Sequence, residues 1–116
     1  MNKIKGSPIQ SLEREYRRLS SSLAGIGYIS QGSVLDRSTL RSPRSGYQWT
    51  RKLAQKTVTV ALSPEQFHHL RKAIENRRAL TKTLGRMEKL SRQILFSALP
   101  DTNHRKPLPK RVLGTL

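Results

Sequence analysis

The chain has 116 residues with 34% hydrophobic content, no cysteine, and 23 Lys and Arg against 7 Asp and Glu, a formal net charge of +16. A chain this short allows a modest aliphatic core, and without cysteine, disulfides, zinc ribbons and thiol catalysis are all excluded. Such a charge excess repels itself and is relieved when phosphates replace counterions, which makes polyanions, and nucleic acid first among them, the expected partners.

In chain order, Ile9, Leu12, Tyr16, Leu19 and Leu23 alternate steps of three and four and predict a first helix with one apolar stripe. Ser7 and Pro8 suit its N-cap and first turn, and Gly25 and Gly27 stop it. The stripe needs a partner, either the second helix of the same chain or the same helix of another copy, giving a homodimer. From Gly32 to Leu62 the period changes to two, with Tyr47, Trp49, Arg51 and Leu53 on one face of a strand and Val58, Val60 and Leu62 on one face of the next. The turn between them falls near Ala54 and Gln55, without the usual Asn or Gly. Val34 and Leu35 suggest a short third strand, and the polar stretch from Asp36 to Gly46 reads as a mobile basic loop.

Ser63, Pro64, Glu65 and Gln66 form a capping-box start to a long helix. Its stripe of Phe67, Leu70, Ile74, Leu80, Leu84, Met87, Ile94 and Ala98 passes Arg77 and Gly85, where a bend is expected, and stops before Pro100. The fold class is therefore α+β: an N-terminal helix, a small antiparallel sheet or hairpin, and a long C-terminal helix. One domain over residues 1–99 and a disordered basic tail over 100–116 are the expected organisation. No apolar run approaches the ~20 residues of a membrane span, and MNKIKGSPIQ lacks a signal-peptide core. A cytoplasmic location without a membrane partner follows as an expectation.

Catalysis needs convergent polar groups, and the candidates are sparse. His68 and His69 are adjacent on a helix and so point about 100° apart, which is wrong for joint metal ligation; there is no glycine-rich phosphate loop and no acid cluster for two metals. A non-enzyme with no cofactor and no metal is expected. The cations form three groups instead. Loop residues Arg37, Arg41 and Arg44 lie among Ser and Thr, and can fork onto phosphate or read guanine. Strand residues Arg51, Lys52 and Lys56 flank Trp49, which is read as core rather than as a base-stacking platform. Helix residues Arg71, Arg78, Lys82 and Arg86 include like charges at four-residue spacing that call for an anion, and Arg105 and Lys106 add an electrostatic arm.

The block GYQWTRKLAQKTVTVALSPEQFHHLRKAIENRRALTKTLGRMEKLS, with Gly32 and Ser33 upstream, resembles a family of small uncharacterised basic proteins found beside bacterial transposase genes. The residues that carry the likeness are Tyr47, Trp49, Thr50, Arg51, Lys56, Thr57, Val58, Ser63, Pro64, Glu65, Ile74, Glu75, Asn76 and Arg77. The resemblance implies helix, aromatic hairpin and Ser-Pro-Glu-started helix, and a mobile-element context. Many relatives carry a cysteine cluster where this chain has Asp36 to Ser45, so metal binding is not carried over. The strand pair followed by a helix is also similar to the arm-binding domains of phage-type integrases, which implies base reading by the sheet through Gln48, Thr50 and Lys52. The function expected is non-catalytic nucleic-acid binding, DNA ahead of RNA, as an accessory of a mobile element. The alternatives are an RNA-binding or ribosome-associated protein and a helical subunit docking on a transposase or integrase.

Overall fold

The computed structural model describes residues 8–103 and 105–114, so the N-cap expected at Ser7 lies outside the described residues. The architecture is α+β: helix α1 (Pro8–Ser22), strands β1 (Ser33–Asp36), β2 (Tyr47–Leu53) and β3 (Lys56–Leu62), long helix α2 (Pro64–Ala98), and a single turn α3 (Lys110–Leu113). The chain forms two compact units. One is Ile26–Leu80, and the other combines the described residues up to Gly25 with those from Thr81 onward.

In the Ile26–Leu80 unit the three strands form an antiparallel sheet in the order β1-β2-β3. Val34, Trp49 and Val60 lie opposite one another, as do Asp36, Tyr47 and Leu62, and Arg51 lies opposite Val58. These residues share one face. Tyr47 stacks on Phe67 of α2 with ring centroids 4.4 Å apart and planes 29° apart, so this is the face that receives the helix. Phe67, Ala73 and Ile74 are buried beneath it. The other face carries Ser33, Thr50 and Thr59 in one row, Leu35, Gln48 and Ala61 in the next, and Lys52 beside Thr57.

Local chemistry fixes both ends of the hairpin. Ala54 and Gln55 have φ of 50° and 67°, the two positive values of a type I′ turn, whose twist matches that of the strands it joins. At the other end, Ser63 N–H donates to Gln66 Oε1 at 2.9 Å and Gln66 N–H donates to Ser63 Oγ at 3.1 Å, a reciprocal capping box that starts α2 one residue after β3. From there α2 runs without interruption through Arg77 and Gly85.

The segment before β1 is held on α2 by backbone groups. Ser30 N–H donates to Ala73 O at 3.2 Å, and Asn76 Nδ2 donates to Tyr28 O at 2.9 Å. The loop from Arg37 to Gly46, expected to be mobile, is tied into turns: Arg37 N–H donates to Gly46 O at 2.9 Å, and Leu40 and Arg44 N–H both donate to Arg37 O at 3.2 Å. Asp36 caps its first 3₁₀ turn, with Oδ1 accepting from Ser38 N–H at 3.0 Å and from Ser38 Oγ at 2.7 Å. Those bonds hold the Asp36 carboxyl below its usual pKa, the Ser38 hydroxyl being the larger cause.

In the other unit, the stripe of α1 (Ile9, Leu12, Tyr16, Leu19, with Leu23 just beyond) is half-buried throughout. Tyr16 faces Ile94 and Leu95 of α2 across a groove of about 260 Å³. Met87 and Leu90 of α2 are buried, Leu90 completely. The basic segment after Pro100 meets α2 where Arg105 lies over the Phe96 ring at 5.2 Å and where Arg92 Nε donates to Leu113 O.

The turn generates a stability test. Left-handed backbone at a residue with a side chain costs roughly 1 to 2 kcal/mol, less for Asn and least for Gly. Replacing Ala54-Gln55 by Asn-Gly is expected to raise unfolding free energy by about 1 kcal/mol in urea titration, with an unchanged circular dichroism spectrum.

Candidate nucleic-acid interface

The cations named from the sequence fall into distinct settings. Arg41 and Arg44 are exposed on the tied loop, and Lys52 is exposed on the sheet face opposite α2. Arg37 is half-buried and its Nε donates to Gln48 Oε1 at 3.2 Å, so it anchors the loop to that same sheet face. Arg51 points to the other face, its guanidinium 5.7 Å from the Trp49 ring centroid. Register places Lys56 at the hairpin tip opposite Leu53. Arg71 and Arg78 are exposed on α2 and line, with Glu75, a small groove beside Ser33 and Val34 of β1.

The remaining candidates belong to the other unit. Lys82 is exposed. Arg86 forks onto Glu15 of α1, Nε to Oε2 at 2.9 Å and Nη2 to Oε1 at 2.8 Å, and so has an internal partner. Arg105 pairs with Asp101, and Lys106 is exposed. The fork lowers the Glu15 pKa chiefly through the Arg86 hydrogen bond; desolvation opposes it, and the charges of Arg86 and then Arg18 add smaller lowering effects. It raises that of Arg86.

Trp49 is clamped rather than free. Its Nε1 donates to Gln31 O at 2.9 Å. Gly32, at φ +104°, lies so close under the indole that a Cβ there would come within 2.6 Å of Thr50 O. The residues around this clamp form an open cleft of about 430 Å³ lined by Gln31, Ser33, Thr50, Arg51, Lys52 and Thr57, with two cations at its wall and no carboxylate.

What the sheet brings together is therefore one largely polar surface: Ser33, Gln48, Thr50, Lys52, Thr57 and Thr59 on a single face, with Arg37 held to it at Gln48. Thr57 and Thr59 were not among the candidate site residues, although their alternation with Val58 and Val60 assigns them to the face away from the apolar side. No local signal announces the Arg86–Glu15 fork, because its two members lie on different helices. Among the described residues no group of three His, Cys, Asp or Glu is placed to hold a metal ion, and no helix is long and apolar enough to cross a membrane. Comparison with protein-family models, with curated proteins and with solved structures found no match.

Two outcomes follow. Gly32→Ala should destabilise the protein by about 2 to 4 kcal/mol through backbone strain and the clash at Thr50, whereas Gly25→Ala, with nothing within 4 Å of the added methyl, serves as the neutral comparison in urea titration. Because the Glu15 pKa is lowered on folding, the fork contributes fully above the ordinary glutamate range and is lost as pH falls through the depressed folded value. The urea midpoints of the native chain and Glu15→Gln should therefore differ at neutral pH and converge on acidification.

Proposed function

We propose that this protein is a non-catalytic nucleic-acid-binding protein that uses the exposed face of its sheet and the adjoining loop, with duplex DNA ahead of RNA. One observation carries the reading. Between Asp36 and Glu65 the sequence has no acid, while Arg37, Arg41, Arg44, Arg51, Lys52 and Lys56 all fall there, and the register turns Thr50 and Lys52 outward on the face that Arg37 reaches through Gln48, with Lys52 toward the hairpin end and the arginine loop at the other.

The dimensions support DNA. A strand pair enters the major groove, which is about 12 Å wide, and alternate residues of a strand are about 6.8 Å apart, close to the rise of two base pairs at about 3.4 Å each. Lys52 is suited to guanine O6 and N7, and Thr50 to a thymine methyl or a base-edge hydrogen bond. Arg41 and Arg44 then lie over phosphates and set the register, while Arg37 holds the loop. The major groove of duplex RNA is too deep and narrow for this docking. The likeness of the aromatic hairpin and Ser-Pro-Glu helix to proteins encoded beside transposases supports a mobile-element setting, in which a transposase or integrase is the natural partner.

Binding to a short duplex is expected to weaken with salt with a slope of about −4 to −5 in log K against log salt, the value for five neutralised phosphates. Arg41→Ala with Arg44→Ala should flatten that slope by about two units while leaving stability within about 0.5 kcal/mol. Fluorescence anisotropy across a salt series measures both. A slope near zero would falsify the reading, and tighter binding of single-stranded or duplex RNA than of duplex DNA would move it to RNA.

A further inference from the structure

The outer edge of β3 is the least protected polar backbone in the sheet. Among the described residues β3 pairs only with β2, and Lys56–Leu62 (KTVTVAL) has no proline and one charge, at its first residue. Native edge strands are normally blunted by lysines, prolines or bulges, because an open ladder recruits another strand. In this chain cations are abundant, yet none lies within β3 past Lys56.

The turn fixes which groups face outward. In a two-residue type I′ hairpin closed by Leu53 and Lys56, the Lys56 N–H points to β2. Alternation then turns Val58, Val60 and Leu62 inward to β2, and the N–H and C=O of Thr57, Thr59 and Ala61 away from it.

From this edge we infer that a second copy of the same chain is its occupant, the two β3 strands pairing antiparallel about a two-fold axis at Thr59. That register sets Thr59 opposite Thr59, Thr57 opposite Ala61, Val58 opposite Val60 and Lys56 opposite Leu62. It uses the whole strand, satisfies the outward groups of Thr57, Thr59 and Ala61 reciprocally, and keeps each face continuous across the junction. The two valine pairs extend the apolar face, and the threonines extend the polar one.

Electrostatics favour this edge over other surfaces for self-association. Two chains of net charge +16 repel wherever their cations meet, but here the two Lys56 residues stand at opposite ends of the junction, about 20 Å apart at strand rise and beyond the Debye length of about 8 Å. The neighbouring surface fits as well. Leu62 borders a groove of about 500 Å³ with Tyr28, Ile29, Leu70 and Ala73, and Tyr28 and Ile29 are 91% and 50% exposed. The second copy's Lys56, opposite Leu62, brings its aliphatic stem to that groove. One strand pair buries less than the roughly 800 Å² per partner of a standard interface, so the association is of the weak class that concentrated solution populates.

The pairing does not require nucleic acid, so its test is separate from that of the binding reading. Sedimentation of the full chain in concentrated, nucleic-acid-free solution should give twice the 13.2 kDa chain mass. Thr59→Lys places two ammonium groups across the axis, about 5.5 Å apart at Cα, and should restore the single-chain mass with an unchanged circular dichroism spectrum. Because the chain has no cysteine, Thr59→Cys offers one thiol per copy. A short bismaleimide should join it to its counterpart, whereas Lys52→Cys, whose strand would lie three strand spacings (about 14 Å) from its copy, should not cross-link. A single-chain mass at every concentration, or a dimer indifferent to Thr59→Lys that fails to cross-link at Thr59→Cys, overturns the inference.

Discussion

The stacking of Tyr47 on Phe67 is the contact on which the sheet unit depends. Side chains alternate strictly along a strand, so burying Tyr47 against α2 commits Trp49, Val58, Val60 and Leu62 to the same side. It equally commits Gln48, Thr50, Lys52, Thr57 and Thr59 to the opposite side. The capping box at Ser63 makes this possible, since it turns the chain from β3 into α2 at once and delivers Phe67 within the first turn. The core so formed is small, and the clamp of Trp49 against Gly32 and Gln31 supplements it with a satisfied indole N–H and close backbone contact.

The positive charge is less uniform in role than in sequence. Arg37, Arg86, Arg92 and Arg105 have internal partners: an amide, a carboxylate, a backbone carbonyl, and a carboxylate with an aromatic face. Arginine suits such positions because its rigid fork satisfies two acceptors and its plane covers a ring. Arg41, Arg44 and Lys52 are exposed. Arg41 and Arg44 stand on the loop at one end of β2, and Lys52 stands near the hairpin at the other, on the sheet face away from α2. The acid-free run from Arg37 to Pro64 supplies all three from one continuous segment.

Much of this was legible in the chain. Period-two alternation from Tyr47 to Leu62, the Ser-Pro-Glu-Gln helix start and the three-four stripe of α1 are short-range patterns, set by the geometry of strand and helix. They account for the α+β class and for the division between the apolar and polar sheet faces. The loop was less legible: its Ser, Pro and Gly residues mark a non-core segment, but the bonds of Arg37 to Gly46 and Gln48 join residues brought close only by sheet formation.

The sequence by itself determined the elements, the alternation within each strand and the location of the acid-free cationic run, because each depends on residues within a few positions of one another. Tertiary structure alone decided which cations are held internally, that the Tyr28–Gly32 segment lies on α2 and under Trp49, and that β3 rather than β2 forms an outer edge. These outcomes depend on partners far apart in the chain, where pairing is governed by three-dimensional fit and no local pattern records it.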